Sequence, residues 1–259
     1  MPTVARINVT PVKSTALHHP DEVQLETTGP VGDRRIFFVD GSGDWFGGET
    51  SLPLMTIRAE LDEEHDRLAL TLADGTVLEG PATADGGPLS SAYYDGRRAD
   101  AHLLADEWGP WLTEHLGRPL RLARLDEPGT MVDEPVTLVS LASVAQLAER
   151  GGRDVLDAGR FRMTFELDGC EPHEEDTWNG RTIAMGEAEL AVRDAIPRCV
   201  ITTIDPHSGR QDFPTLKVIA GYRTLLADGD VPFGVYARVT RPGVVRVGDA
   251  IELNERYLG

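Results

Sequence analysis

Apolar and polar positions alternate along much of this chain, at the period of two that half-buried strands impose. Residues 4–12 alternate and are rich in β-branched side chains, which predicts a strand running directly into Lys13-Ser14 and a loop carrying His18 and His19. Short strands are predicted at Val23–Leu25, Arg34–Asp40, Ile57–Leu61, Arg67–Leu72 and Thr76–Leu78, separated by glycine-containing turns such as Gly41-Ser42-Gly43 and Asp74-Gly75. The period then changes. Ala101, Leu104, Ala105, Trp108, Trp111, Leu112 and Leu116 recur at helical spacing until Gly117 and Pro119. Leu120–Leu125 reads as a strand, and the polar Asp126-Glu127-Pro128-Gly129 marks a boundary between domains at 1–125 and 126–259.

Beyond that boundary, Val136–Val139 is a strand, and Ser140 is placed to cap a helix whose apolar face is Val144, Leu147 and Ala148. Strands are predicted at Phe161–Leu167, Thr182–Met185, Ala188–Arg193, Val200–Ile204, Phe233–Val239 and Val244–Leu253, with a helix at Thr215–Leu226. Many strands with a few helices give a mainly β, α+β chain, not the alternation of a parallel doubly wound sheet. No glycine-rich phosphate loop of the dinucleotide or P-loop kind appears.

Composition narrows the chemistry. The formal net charge is −18 over 259 residues, whereas affinity for nucleic acid rests on neutralising phosphate. Duplex binding is therefore not expected. No apolar run reaches the ~18 residues of a membrane span and no secretion signal is visible, so a cytoplasmic protein without a membrane partner is expected. The two cysteines, Cys170 and Cys199, are too few for a four-cysteine zinc site or an iron–sulfur cluster. His18 and His19 lack partners at zinc spacing.

Cys199 sits in Ala195-Ile196-Pro197-Arg198-Cys199-Val200-Ile201-Thr202-Thr203-Ile204-Asp205-Pro206. A cysteine reacts or binds metal as its thiolate, which a neighbouring guanidinium such as Arg198 favours. The flanking hydroxyls, Thr202 among them, suit a phosphorylated ligand. Read from composition alone, Cys199 is equally a small buried residue at the start of a strand. Lys13, Ser14, Arg34 and Arg162 could line an anion pocket or stand as separate surface groups. The acidic run 171–178 offers Glu171 and Asp176 as proton carriers, or is a solvated loop. Cys170 has no cationic neighbours in sequence and reads as structural.

These segments in this order resemble the MOSC family, and in particular its amidoxime-reducing branch. The first half carries Pro11-Val12-Lys13-Ser14, Gly32-Asp33-Arg34-Arg35 and Pro53-Leu54-Met55. The second carries Phe161-Arg162, Glu175-Asp176-Thr177-Trp178, Pro197-Arg198-Cys199 and Thr202-Thr203-Ile204-Asp205-Pro206. The resemblance implies an N-terminal β-barrel domain followed by a MOSC-type β-barrel with peripheral helices. It implies a molybdenum–molybdopterin cofactor with the metal on Cys199. Lys13, Ser14, Arg34, Arg162 and Arg198 would hold the pterin and its phosphate, with Thr164 and Thr202 as further cofactor contacts. The implied activity is reduction of small N-hydroxylated compounds, with electrons from a separate reductase or ferredoxin-like protein. The family's sulfurases leave a second reading: a carrier of sulfur, as a Cys199 persulfide, or of the pterin. Two departures bear on the pocket. Met163-Thr164 stands where Pro-Asn often follows Phe-Arg, and the usual Thr-x-Arg segment is absent around Phe46-Gly47-Gly48-Glu49-Thr50.

Overall fold

A computed structural model describes residues 1–47, 54–129 and 131–257. Gly48-Glu49-Thr50 and Pro53, singled out above, lie outside the described residues. The strands are β1 (Thr3–Ile7), β2 (Glu22–Glu26), β3 (Gly29–Pro30), β4 (Ile36–Val39), β5 (Arg58–Asp62), β6 (Arg67–Thr71), β7 (Val77–Pro81), β8 (Pro88–Ala92) and β9 (Arg98–Leu103). Helix α1 (Trp108–Leu116) leads to β10 (Arg121–Leu125), β11 (Val136–Ser140) and α2 (Leu141–Arg150). Then come β12 (Phe165–Asp168), β13 (Arg181–Met185), β14 (Ala188–Arg198), α3 (Thr215–Ala220), β15 (Val231–Arg241), β16 (Gly243–Arg246) and β17 (Ile251–Tyr257). The chain is mainly β with some helix, as its alternation predicts.

The chain divides into two compact units. The larger comprises residues 1–9, 18–31 and 133–259, and the smaller residues 10–17 and 32–132. The larger unit is built on a curled seven-stranded sheet in the order β1-β12-β11-β15-β14-β13-β17, with a separate three-stranded sheet in the order β16-β2-β3. Only β11 and β12 run parallel in that sheet. Leu138 packs with Ile7, Phe165 and Leu190, whereas the next residue, Val139, packs with Leu147, Phe161 and Phe233. Successive strand side chains point to opposite faces, so this sheet is covered on both. Ser140 caps α2 as expected, its hydroxyl accepting from the N–H groups of Ala142 and Ser143.

The smaller unit holds the sheets β4-β10-β9-β8 and β5-β6-β7. Ile36 and Phe38 enter one core with Leu68, Leu70 and Trp108, while Phe37 and Val39 enter another with Ala123 and Leu125. This two-sided burial is why β4 is a continuous apolar run.

Several predicted elements are corrected. The first strand ends at Ile7, because Pro11 has no N–H and the Thr10 N–H is spent on Asp33 Oδ1 at 2.7 Å. Residues 101–103, expected to be helical, close β9, with Ala99 and Ala101 inward and Asp100 outward. Val200–Thr203 is a 3₁₀ turn, not a strand. Threonine hydroxyls compete there for backbone carbonyls, Thr203 Oγ1 donating to Val200 O at 2.7 Å. Arg162, expected within a strand, is the left-handed residue ending the 3₁₀ turn Ala158–Phe161, and β12 starts only at Phe165. Helix α3 stops at Ala220, before Gly221.

Candidate functional site

In the larger unit the chain leaves β14 at Cys199, whose thiol is exposed. The turn behind it is fixed through its backbone. Thr202 Oγ1 donates to the Cys199 carbonyl at 3.0 Å and Thr202 N–H does so at 3.3 Å. The Thr202 carbonyl accepts from Thr215 Oγ1 at 2.6 Å and from Arg160 Nη1 at 3.1 Å. Arg160 is 1% exposed, pairs with Asp212 at 3.2 Å and lies over the Phe213 ring. It anchors the turn, yet nothing in its sequence context, Ala158-Gly159-Arg160-Phe161, distinguishes it from a surface arginine.

Arg198 turns inward. Its Nε donates to Phe233 O at 2.7 Å, its Nη1 to Phe161 O at 3.3 Å, and its Nη2 lies 2.7 Å from Met163 Sδ. Burial pushes its guanidinium down to about 10, with Tyr236 and Cys199 pulling the other way. Gly234 makes room for this packing. Its φ is +72°, and a Cβ there would lie 2.5 Å from Met163 Cε and 2.6 Å from Leu138 O. Thr164 is buried, and its hydroxyl meets the Thr137 N–H at 3.1 Å and the Thr137 hydroxyl at 3.2 Å. The hydroxyls of Thr164 and Thr202 thus organise strand and turn.

The acidic run resolves into three different environments. Glu171 is exposed. Asp176 forms an ion pair with Arg223. Glu175, part of the family segment but not named as a proton carrier, is fully buried. Its carboxylate accepts from Ser140 N–H at 3.1 Å and Ser143 Oγ at 3.0 Å. Burial pushes its carboxyl up to about 7, against the Ser140 hydrogen bond. Besides that segment, a sequence signal for its burial is Trp178 three residues on, an apolar partner on the same face of a helical turn. His173 is held at φ +62°, with its ring against Phe233 and Tyr222. Burial lowers it to about 4, and Arg223 adds to the effect. Cys170 fits a structural role: burial, with Glu174 and Glu175 nearby, pushes its thiol up to about 12.

In the smaller unit, two separated motifs meet. Lys13 N–H donates to Ile36 O at 2.7 Å, and Arg34 N–H to Thr10 O at 2.6 Å. The hydroxyls of Thr10 and Thr15 meet at 2.7 Å, and Thr15 Oγ1 donates to Val12 O at 2.7 Å. This places Lys13, Ser14 and Arg34 together, with Arg34 paired to Asp33. Ser14 has φ +77° and Arg34 φ +49°. Left-handed backbone is costly for residues with a Cβ and concentrates where a backbone shape is functionally required. Among the described residues five non-glycine positions have positive φ, and three of them are Ser14, Arg34 and Arg162.

The residues suit a group that brings its own metal and an anionic end. One exposed thiol can supply a soft ligand, while among the described residues no cluster of three or more His, Cys, Asp or Glu could hold a bare ion. No described helix is long and apolar enough to cross a membrane.

Residues 100–252 match the family described as MOSC domain, and residues 1–119 match the MOSC N-terminal beta barrel domain. Mitochondrial amidoxime reducing component 2 of Rattus norvegicus is 36% identical over 126 residues, covering 45% of this chain and 36% of that protein. Molybdenum cofactor sulfurase of Caenorhabditis briggsae is 32% identical over 271 residues, covering 97% of this chain and 36% of that protein. The chain therefore spans about a third of the length of these relatives. Among solved structures, the YUAD protein of Bacillus subtilis aligns with a TM-score of 0.45 and 14% identity, covering 98% of this chain and 96% of that one.

Proposed function

The chain belongs to the MOSC domain family, and on that premise we propose that it binds a molybdenum–molybdopterin cofactor through Cys199 and reduces N-hydroxylated compounds, drawing electrons from a separate donor protein. The observation that carries this reading is the backbone. Ser14, Arg34 and Arg162, three of the residues that the family resemblance gives to the pterin and its phosphate, are three of the five non-glycine residues held at positive φ among those described. Nothing in a plain barrel requires that coincidence.

When bound, the cofactor supplies the two-electron chemistry that takes the oxygen from an N–OH group, two electrons and two protons completing the change to amine and water. The protein supplies the rest. Cys199 offers its exposed thiolate to the metal, and Thr202 fixes the carbonyl of that same residue. Arg162, in the larger unit, is assigned to the anionic end on the family resemblance. Lys13, Ser14 and Arg34 are assigned to it on the resemblance alone. Arg198 acts on the site by holding Phe233 and Phe161, and so the strand end that presents Cys199. Glu175 can hold or release a proton near neutrality, which suits it to proton supply better than exposed Glu171 or ion-paired Asp176.

A second reading, transfer of sulfur or of the pterin, is favoured by the exposure of the Cys199 thiol and by the extent of the match to a protein named as a sulfurase. One preparation separates the two. Wild type and Cys199→Ala are purified from a host that makes the cofactor, and molybdenum, pterin and reduction of a hydroxylamine by a chemical donor are measured. We expect about one molybdenum per chain in wild type, lost in the variant, as thiolate coordination requires, together with wild-type turnover. Stoichiometric cofactor without turnover would support the carrier. Turnover by metal-free protein would overturn both.

A further inference from the structure

Of the 25 lysine and arginine side chains, only Lys13 and Lys217 are lysines. Lys13 is also 7% exposed. A buried ammonium needs compensation for the water it loses. Part comes from the Met131 carbonyl, which accepts from Nζ at 2.9 Å. Two aromatic rings add to it. Nζ lies 5.4 Å from the centroid of Trp45 and 5.3 Å from that of Tyr94. The rings meet edge to face at 4.8 Å, an arrangement that the ring quadrupoles favour.

Trp45 is itself held in place. Its backbone N–H donates to Ala92 O at 2.9 Å and its backbone forms a β-bridge with Val39. Its ring lies against Gly47, where a Cβ would come within 2.7 Å of it. A π face stabilises a cation without accepting a directed hydrogen bond, so it can hold an ammonium that also serves an anion. The ammonium is a compact point charge with three donors, so one donor can meet a carbonyl while the charge faces both rings.

We propose that Trp45 and Tyr94 are positioning residues, whose aromatic box holds the Lys13 ammonium for the anionic end of the cofactor. The proposal rests on the cofactor reading of Lys13 given above.

The test uses the full chain labelled with ¹³C-lysine, made in a host without the cofactor pathway, where two lysines give two side-chain spin systems. Ring currents should move the Lys13 methylene protons upfield of those of Lys217. Trp45→Leu and Tyr94→Leu should each return them toward the Lys217 position, and Trp45→Phe should not. Inorganic phosphate added to wild type should shift the Lys13 signals and leave those of Lys217 in place. Both leucine variants should weaken that binding about 2- to 30-fold, the range of cation–π strengths at 1.4 kcal/mol per factor of ten, and Trp45→Phe should restore it. Tyr94 is 42% exposed, so its variant keeps the test decisive if Trp45→Leu does not fold. Coincident lysine signals in wild type, or phosphate binding unchanged in the leucine variants, would overturn the proposal. The box seen with its phosphate response, in a protein that takes up no pterin from a competent host, would uphold the box and sink the cofactor reading instead.

Discussion

The Cys199 turn of the larger unit and the Lys13 loop of the smaller one are both short and irregular, yet they are held by opposite means. The turn is anchored by buried guanidinium groups. Arg160 reaches the Thr202 carbonyl, and Arg198 reaches those of Phe233 and Phe161. The Lys13 loop is anchored by small hydroxyls, Thr10 and Thr15, and by aromatic faces around its one ammonium. A guanidinium can span several carbonyls at once, but removing it strands whatever it paired with. Hydroxyls and π faces each contribute less and fail more gently. The comparison teaches that loss of stability in the larger unit and loss of ligand affinity in the smaller one should be separable.

The largest expected effect is that of Arg160→Ala. Arg160 is buried although Asp212 is exposed. Hydrogen bonds from a charged donor contribute about 1.5–3 kcal/mol each, and those to Asp212 and to the Thr202 carbonyl are both lost, together with the packing of the buried side chain. Denaturant unfolding should show that loss. A cost below that of a surface charge would mean that the turn is not anchored as described.

Next comes a pH effect confined to the larger unit. The carboxyl of Glu175 lies above its ordinary value of 4.5, at about 7, so its contribution to stability is full below about pH 4.5 and is lost as pH rises through 7. The difference amounts to roughly 3 kcal/mol at 1.36 per unit. His173 works in the opposite sense. Lowered from 6.5 to about 4, it contributes above pH 6.5 and loses that contribution as pH falls through 4. Glu175→Gln should therefore give stability that rises with pH across this window, and His173→Gln stability that falls. Identical slopes in the two variants would refute the assignment. In the smaller unit the acids Asp40, Asp62 and Asp74 are all shifted downward by hydrogen bonds, so none of them should contribute to that window.

Smaller again is Thr15→Val in the Lys13 loop, which removes the Thr15 hydroxyl's bonds to Val12 O and to the Thr10 hydroxyl, at about 0.5–1.5 kcal/mol each; Thr10 keeps its own bond to Val12 O. Thr202→Val should cost only about 1 kcal/mol by thermal unfolding, yet lower the molybdenum retained per chain, because its hydroxyl holds the Cys199 carbonyl. If retention is unchanged, Thr202 matters to the turn but not to the ligand.

Much of the fold was legible as alternation. The hairpin β5–β6–β7, the cap at Ser140 and the pair β13–β14 all show in the pattern, because each is set by neighbours in sequence. The turn at Val200–Thr203 was not legible, since β-branched residues that favour strands also carry hydroxyls that bond back to the chain. Ala101 and Leu104 fitted a helix by spacing and a strand by alternation, and pairing with β10 and β8 decided it. At the site, the motifs named the residues near Cys199, Lys13 and Arg34. They could not show that Glu175 and Arg160 are the buried charges, because burial and partners are set by segments far away in the chain.

The pairing of β1 with β12, Thr3 opposite Asp168, also has a temporal side. On the ribosome, at about 5–20 residues per second, β1 emerges roughly 10–30 s before the strand it must join. For that interval it is an unpaired edge, while residues 32–132 can already close their own sheets. Non-local pairing of this kind slows folding and exposes strand edges to other chains. Yield at higher synthesis temperature should therefore depend more on chaperone supply than on the final stability of the folded protein.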